Sequence, residues 1–419
     1  MQKYSEDVNV NLSSLVEEGG INLQEELQLD LPRALLRHKF VEKQIKKDLE
    51  ASKLKGIKLL VLGSGDSGKS TFIRQMRILS NSSTFGFTLE EKDYFKFIIF
   101  DNIIQIFKNL LLILSLVDNS LFEKFPADLI DQINNLNCRT DFKEDTFSKL
   151  KDIWSHDTIK FCFEQRTNFV EENVFFQDTA AYFMNNLDRF LRLDYVLLDQ
   201  DIVCCRKQTI GMLETEIIVK PKKLRIFDFG GQKQYRYSLT LIFVALPFTH
   251  THQFSRNYWA PYFDDCKAII FLSAISSYDQ YLTKEEEDLE ATSKTNRMVD
   301  SLELFSSLIN NPILINTKFI LFFNKFDLFQ TKIKTIKISD YFHEFKGHEG
   351  DILPQNERTA KSFFKKKFID CCRKDNAELM MIHYTNSTDS KVMKKVVNSV
   401  IAIIFQGNVQ STGLMDDRM

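Results

Sequence analysis

A glycine-rich loop is the first candidate for chemistry in this sequence. Residues 63–70 read GSGDSGKS, which fits GxxxxGK[ST], between the apolar run IKLLVL and the helix-like TFIRQMRIL. In that context backbone N–H groups close around phosphates, the lysine reaches the β- and γ-phosphates and the last serine can bind magnesium. The residues predicted to contact a nucleotide here are Gly63, Ser64, Gly65, Asp66, Ser67, Gly68, Lys69, Ser70 and Thr71. The loop alone does not separate ATP from GTP, and an ordinary glycine turn is the alternative interpretation.

The base is predicted by the NKFD sequence of Asn324, Lys325 and Asp327. It follows the apolar strand KFILFF, at the strand end where ligands bind in open α/β sheets. The Asp327 carboxylate can accept hydrogen bonds from N1–H and the 2-amino group of guanine, and adenine has neither donor. A wrong base would therefore leave a polar group unpaired. Four residues are a weak pattern alone, but with the phosphate loop they predict guanine.

A third pattern, DFGGQ at residues 228–232, follows the strand LRIF. Asp228 can hold magnesium through water, Gly231 can bring its backbone N–H against a γ-phosphate, and Gln232 can orient the attacking water. Gly230 is a further predicted nucleotide contact. A tight turn explains the same string equally well when it is taken alone.

The elements that must position these residues are strands separated by helices. Apolar runs predict strands at 57–62, 211–219, 224–227, 268–272, 318–323 and 380–384, whereas 82–203 contains helical patterns without a convincing strand. Alternation of this kind predicts an α/β fold with a mainly parallel sheet, interrupted by an all-helical insertion. The apolar stretch 98–117 carries Asp101, Asn102, Gln105, Lys108 and Asn109 on one helical face, which predicts an amphipathic helix and not a membrane span.

Composition limits the class of protein. The chain has 419 residues, 44% hydrophobic and 27% charged, which predicts two or three soluble globular units. A net charge of -2 gives no basic footprint for nucleic acid, so we expect none as a partner. Seven cysteines without a CxxC pair favour a reducing, cytoplasmic setting, and the start of the sequence lacks the apolar run of a signal peptide.

Several strings together resemble the α subunits of heterotrimeric G proteins. KLLVLGSGDSGKSTFIRQMRIL, DFGGQ, AIIFLSAISSYD, FILFFNKFDLF, IHYTNSTD and the helical FFQDTAAYFMNNLDRF are similar to successive motifs of that family. The resemblance covers nearly the whole chain after the N-terminal tail. It implies a Ras-like P-loop GTPase domain with an inserted helical domain, GTP or GDP with Mg²⁺ as cofactors, and hydrolysis of GTP to GDP and phosphate.

The resemblance also implies roles for individual residues. Arg206 stands three residues before Thr209, the spacing of an arginine finger and a magnesium-binding threonine, so Arg206 and Gln232 are the predicted catalytic residues and Ser70, Thr209 and Asp228 the predicted metal ligands. Asp66 replaces the glutamate that usually pairs with this arginine. Further predicted nucleotide contacts are Thr179, Val203, Cys204 and the backbone of Ser387.

The domain boundaries predicted in this way are a disordered acidic tail at 1–32, a helix at 33–55, a GTPase domain at 56–81 and 204–419, and a helical domain at 82–203. Between Gln232 and Trp259 the chain is about 20 residues longer than the family pattern. This apolar insertion at 237–256 is either a loop in switch II or a translated intron. It motivates an alternative function, a GTP-binding scaffold with impaired hydrolysis. A metabolic P-loop kinase is a second alternative, disfavoured by NKFD.

The family's partners are a βγ dimer, a seven-helix receptor and a downstream effector, at the cytoplasmic face of the plasma membrane. Gln2 replaces the glycine needed for N-myristoylation, and no cysteine lies near the start. We therefore expect peripheral membrane attachment through partners, with the helix at 33–55 docking the βγ dimer.

Overall fold

The computed structural model of this chain describes residues 56–80, 86–117, 127–138, 140–166, 176–207, 209, 212–219, 222–230, 266–282, 294–314, 317–346, 356–373 and 380–411. Several predictions fall outside those ranges and stay predictions. They concern the tail at 1–32, the helix at 33–55, Gly231, Gln232, the insertion at 237–256 and Trp259.

A six-stranded sheet carries the described part of the chain. Its strands are β1 (Ile57–Gly63), β2 (Met212–Val219), β3 (Lys222–Phe229), β4 (Cys266–Ala274), β5 (Lys318–Asn324) and β6 (Met380–Tyr384). Their order is β2-β3-β1-β4-β5-β6, with β2 antiparallel to β3 and every other neighbouring pair parallel. The mainly parallel α/β sheet predicted from the apolar runs is confirmed.

The helices are, in chain order, α1 (Lys69–Leu79), α2 (Leu89–Val117), α3 (Ala127–Asn134), α4 (Glu144–Ser155), α5 (Asp157–Glu164), α6 (Ala180–Asn185), α7 (Leu187–Phe190), α8 (Asp199–Cys204), α9 (Arg297–Ile309), α10 (Phe326–Lys332), α11 (Glu357–Asp370) and α12 (Ser390–Ser411). Short 3₁₀ helices lie at Ile275–Ser277, Pro312–Leu314 and Ile338–Asp340. Within the described residues between α1 and β2 all regular structure is helical, as predicted for that block.

Both faces of the sheet are buried, which is why its inner strands are nearly continuous apolar runs. Successive side chains of a strand point to opposite faces. In β1, Leu59 and Val61 pack in one cluster with Phe72 of α1, whereas Leu60 packs in the other with Phe305 of α9. Helices therefore pack against both faces of the sheet and fix the positions of its strands.

A separate hydrophobic cluster lies in the helical block, and α2 is its central helix. Ile103, Phe107 and Leu110 of α2 are fully buried against residues of α4 to α7, including Phe147 and Phe183. Among the described helices, α2 alone is long and apolar enough to cross a membrane, with a mean hydropathy of 1.8. Because 67% of that window is buried within the protein, the same composition is explained by a core helix.

The parallel strands bring the predicted motifs to one edge of the sheet. Gly63 at the end of β1 pairs with Leu272 of β4, and Asn324 at the end of β5 pairs with Ala274 of β4. Asp228 in β3 pairs with Val61. Since the carboxyl ends of parallel strands share an edge, loops far apart in sequence meet there.

Candidate functional site

One cleft of about 540 Å³ opens at this edge of the sheet, between the strand ends and the helical block. Fifteen of the predicted residues line it: Gly65, Asp66, Ser67, Gly68, Lys69, Ser70, Thr71, Thr179, Cys204, Arg206, Thr209, Asn324, Lys325, Asp327 and Ser387. Clefts of this size hold ligands of the size of a nucleotide.

The glycine loop leads from β1 into the first turn of α1. Gly68 caps that helix with a φ of 93°, and a Cβ there would lie 2.2 Å from Nδ2 of Asn324. Lys69 turns back into the loop, where its Nζ donates to the carbonyl oxygens of Gly63 at 2.9 Å and Ser64 at 2.8 Å. A buried ammonium beside a helix N-terminus is an arrangement that favours a polyphosphate.

Asn324 joins the phosphate loop to the base loop. Its Nδ2 donates to the Ser67 carbonyl at 2.8 Å, and its Oδ1 accepts from the backbone N–H of Ser387 at 3.0 Å and from the Thr385 hydroxyl at 3.1 Å. The side chain is 2% exposed. Because the amide is satisfied on both sides, these loops are held in one arrangement before any ligand binds. Asp327 follows in the first turn of α10 and is exposed to the cleft.

Three oxygen-bearing side chains converge beside the phosphate loop. The Ser70 hydroxyl lies 2.7 Å from Oγ1 of Thr209 and donates to Oδ2 of Asp228 at 2.8 Å. Among the described residues, Oδ1 of Asp228 is buried and has no hydrogen-bond partner. Burial raises the pKa of Asp228, although Lys69 and the two hydroxyl donors oppose that shift. Hard oxygen donors around an unsatisfied buried carboxylate fit Mg²⁺.

A chain of charges crosses the mouth of the cleft. Asp66 pairs with Nε of Arg206 at 3.6 Å and with Nζ of Lys325 at 3.3 Å, and Lys325 also pairs with Asp178. Burial would raise the pKa of Asp66, but the charges of Arg206 and Lys325 lower it. Burial likewise opposes the charge on Lys325, but Asp178 and Asp66 raise its pKa. The aspartate at 66 is therefore long enough to reach this arginine.

Asp66 and Lys325 share a backbone feature. They are the two non-glycine residues with positive φ among those described, at 60° and 57°. Left-handed backbone at non-glycine residues costs free energy and occurs most often at functional sites. An ion pair joins the two loops at these residues.

The segment before Thr209 is held by three side chains, one from α1, one from α2 and one from the residue that precedes α6. Thr179 donates to the Cys204 carbonyl at 2.7 Å, and Nη1 of Arg74 in α1 donates to the Cys205 carbonyl at 2.5 Å. Asn102 of α2 bonds both backbone groups of Arg206. The arginine thus enters the cleft from a backbone that is fixed on the side of the helical block.

Some of the residues that were predicted to contact the nucleotide do not line the cleft. The side chain of Val203 is 1% exposed and packs away from the cleft, so any contact with a ligand there falls to its backbone. Gly63, Ser64, Asp228 and Gly230 are buried and do not line the cleft. Gly231 and Gln232 are outside the described residues.

Sequence patterns missed Asn102, Arg74 and Asp178. Asn102 was placed on a solvated helical face, yet it is 8% exposed. The signal was its place in α2, four residues after Ile98 and one before Ile103, where burial needs a polar partner. Asp178 could have been found because it directly precedes Thr179.

Comparison with protein families agrees with this geometry. The family model described as G-protein alpha subunit matches residues 36–404. The match includes every predicted site residue.

The alignments with curated relatives cover nearly the full length of those proteins. The guanine nucleotide-binding protein alpha-17 subunit of Caenorhabditis elegans is 32% identical over 381 residues, which cover 89% of this chain and 96% of the relative. The G(o) subunit alpha of the same organism is 33% identical over 393 residues, covering 91% and 97%. The G(o) subunit alpha of Locusta migratoria is 33% identical over 387 residues, with the same coverage.

Proposed function

This chain belongs to the G-protein α-subunit family, and from that premise we propose that it is a magnesium-dependent GTPase that times its own signal. Family membership gives a signalling role through guanine nucleotides. Hydrolysis, the metal and the partners of this particular chain are our proposal. The observation that carries it is the convergence in one cleft of Asp327, Lys69 and Arg206.

The residues divide the work by position. Asp327 binds the guanine edge, and Asn324 keeps the base loop in register with the phosphate loop. Lys69 exchanges its bonds to loop carbonyls for the β- and γ-phosphates when GTP enters. Water then attacks the γ-phosphorus as the bond to the β-phosphate oxygen breaks, and Arg206 stabilises the charge that develops. The Arg206 contact is stronger in the transition state than in the ground state, which is what accelerates hydrolysis.

Ser70, Thr209 and Asp228 are the residues that would hold the metal. Magnesium bound there supplies positive charge against the phosphate oxygens. The chain contributes the fixed distances, because each hydroxyl already lies within hydrogen-bonding distance of Asp228 or of the other hydroxyl.

The test of the function is single-turnover hydrolysis by the purified full chain loaded with GTP. We expect phosphate release that depends on Mg²⁺ and that exceeds the rate of GTP in buffer. Tight GTP binding without such release would instead support the alternative, a scaffold that does not hydrolyse. That alternative draws on the insertion at 237–256, which lies outside the described residues.

Ser70→Ala should raise the Mg²⁺ concentration for half-maximal hydrolysis by at least about tenfold, a loss typical of removing even an outer-shell partner of a metal. The reason is that Ser70 is one of three converging oxygens. A Mg²⁺ titration of the single-turnover rate measures the effect. Ser80→Ala, at the end of the same helix, is the control because its hydroxyl bonds only the Arg77 carbonyl among described residues. An unchanged Mg²⁺ dependence in Ser70→Ala would contradict the metal site.

We also propose the family's partners for this chain, which are a βγ dimer, a seven-helix receptor and an effector at the cytoplasmic face of the plasma membrane. Attachment would be peripheral, through the βγ dimer docked on residues 33–55. What supports this is the basic composition of that segment.

A further inference from the structure

Asn102 is a polar residue in the middle of the core helix of the helical block. Its neighbours Ile99 and Ile103 are 1% and 0% exposed, and Asn102 itself is 8% exposed. Burying an amide costs free energy unless its hydrogen bonds are made. Its partners therefore indicate what the residue is for.

The donor and the acceptor of the Asn102 amide both bond to the backbone of one residue, Arg206. Oδ1 of Asn102 accepts from the Arg206 backbone N–H at 2.7 Å, and Nδ2 donates to the Arg206 carbonyl at 2.9 Å. Within the described residues the Asn102 side chain makes no other hydrogen bond. Lys207, the next residue, lies over the ring of Tyr94 at 4.4 Å, two turns earlier on α2. The chain at 206–207 thus contacts α2 through the Arg206 backbone and through the Lys207 side chain.

The guanidinium of Arg206 is at the exposed end of a side chain whose backbone is anchored to α2. Its Nε lies 3.6 Å from Asp66, and the side chain is 40% exposed. A partly exposed ion pair contributes little to fixing a geometry. Since catalysis requires the charged group to lie within about 1 Å of its productive position, the backbone anchor decides where the guanidinium reaches.

We propose that Asn102 is a positioning residue for GTP hydrolysis, which fixes the backbone of Arg206 so that its guanidinium meets the γ-phosphate. The inference rests on the proposed function, in which Arg206 accelerates hydrolysis. The helical block would then take part in hydrolysis. The apolar cluster of that block fixes the position of α2, and α2 in turn fixes the backbone of Arg206.

The experiment compares single-turnover hydrolysis in Asn102→Leu, Asn102→Ala, Arg206→Ala and the double variant Asn102→Leu/Arg206→Ala. Leucine keeps the volume of the side chain and removes both hydrogen bonds, whereas alanine also leaves a cavity. We expect both Asn102 variants to slow hydrolysis about tenfold, the factor for two ordinary hydrogen bonds lost from the reacting geometry. GTP affinity should change by less than about twofold, because the contact matters only in the transition state.

The double variant separates positioning from general support of the fold. If Asn102 acts through Arg206, the double variant hydrolyses at the rate of Arg206→Ala alone. Multiplicative losses would show a merely structural role and overturn the inference. Ser115→Ala is the matched control, since this side chain lies near the other end of the same helix, bonds the Leu112 carbonyl and should leave the rate unchanged.

The remaining outcomes separate the role of Asn102 from the proposed function. A slow Arg206→Ala with a normal rate in both Asn102 variants overturns the role of Asn102 and leaves the proposed function standing. A normal rate in Arg206→Ala overturns both. Thermal unfolding of each variant identifies any loss of folded protein, and the alanine and leucine variants should agree in rate even where their melting temperatures differ.

Discussion

Replacing Asp327 by asparagine should weaken GDP binding by about 3 kcal/mol, more than a hundredfold in Kd. The carboxylate accepts two hydrogen bonds from guanine, and an amide offers one acceptor and one donor in their place. The donor would face the 2-amino group of the base. Equilibrium titration with a fluorescent guanine nucleotide measures the loss.

The same substitution should improve binding of xanthosine diphosphate, whose C2 carbonyl accepts from the new amide. Asp340→Asn is a matched control because Asp340 is exposed on a 3₁₀ helix away from the cleft. If GDP affinity in Asp327→Asn equals that of the wild type, the base does not bind at NKFD. A loss for both nucleotides would indicate that the loop, and not the base contact, was damaged.

Arg206→Cys should slow single-turnover hydrolysis about a hundredfold, which corresponds to about 3 kcal/mol of transition-state stabilisation. GTP affinity should remain close to that of the wild type, since the guanidinium meets charge that develops only as the γ-phosphate leaves. Rapid quench of preloaded protein measures the rate. Arg192→Cys, which removes an exposed arginine paired with Asp194, serves as the control.

Gln232→Leu belongs in the same experiment because of the insertion that follows it. If hydrolysis is slow in both variants, the arginine and the glutamine work together. A slow Arg206→Cys beside a normal Gln232→Leu would mean that the insertion has uncoupled the glutamine. Wild-type-like rates in both, at the rate of GTP in buffer, would remove the self-timed switch from the proposal.

The sheet could be predicted from the sequence because a strand that is buried on both faces consists almost entirely of apolar residues. β5 was predicted at 318–323 and ends one residue later, at Asn324. β3 was predicted too short, at 224–227, because it begins with Lys222 and Lys223 and carries Asp228 near its end. Backbone pairing with β2 extends the strand where side-chain patterns give no signal.

The nucleotide loops could also be predicted, since their chemistry requires fixed residue types at short spacing. The residues that hold the backbone at Cys205 and Arg206 could not be predicted. Asn102 and Arg74 lie 104 and 132 positions away in the sequence, and only the packing of α2 and α1 brings them to it. The apolar residues around Asn102 signal a buried amide that needs a polar partner, but the sequence does not indicate which residue that partner is.

The hydrogen bonds of Asn324 determine how late in synthesis the cleft can form. It binds Ser67 and Ser387, which are separated from it by 257 and 63 residues, so the cleft needs all three segments. The chain emerges from the ribosome N-terminal end first, and the helical block can pack before β5 and β6 exist. Long-range contacts of this kind form late because their loops must close first. The nascent protein therefore gains no stability from a guanine nucleotide until the segment that follows its last strand has been made.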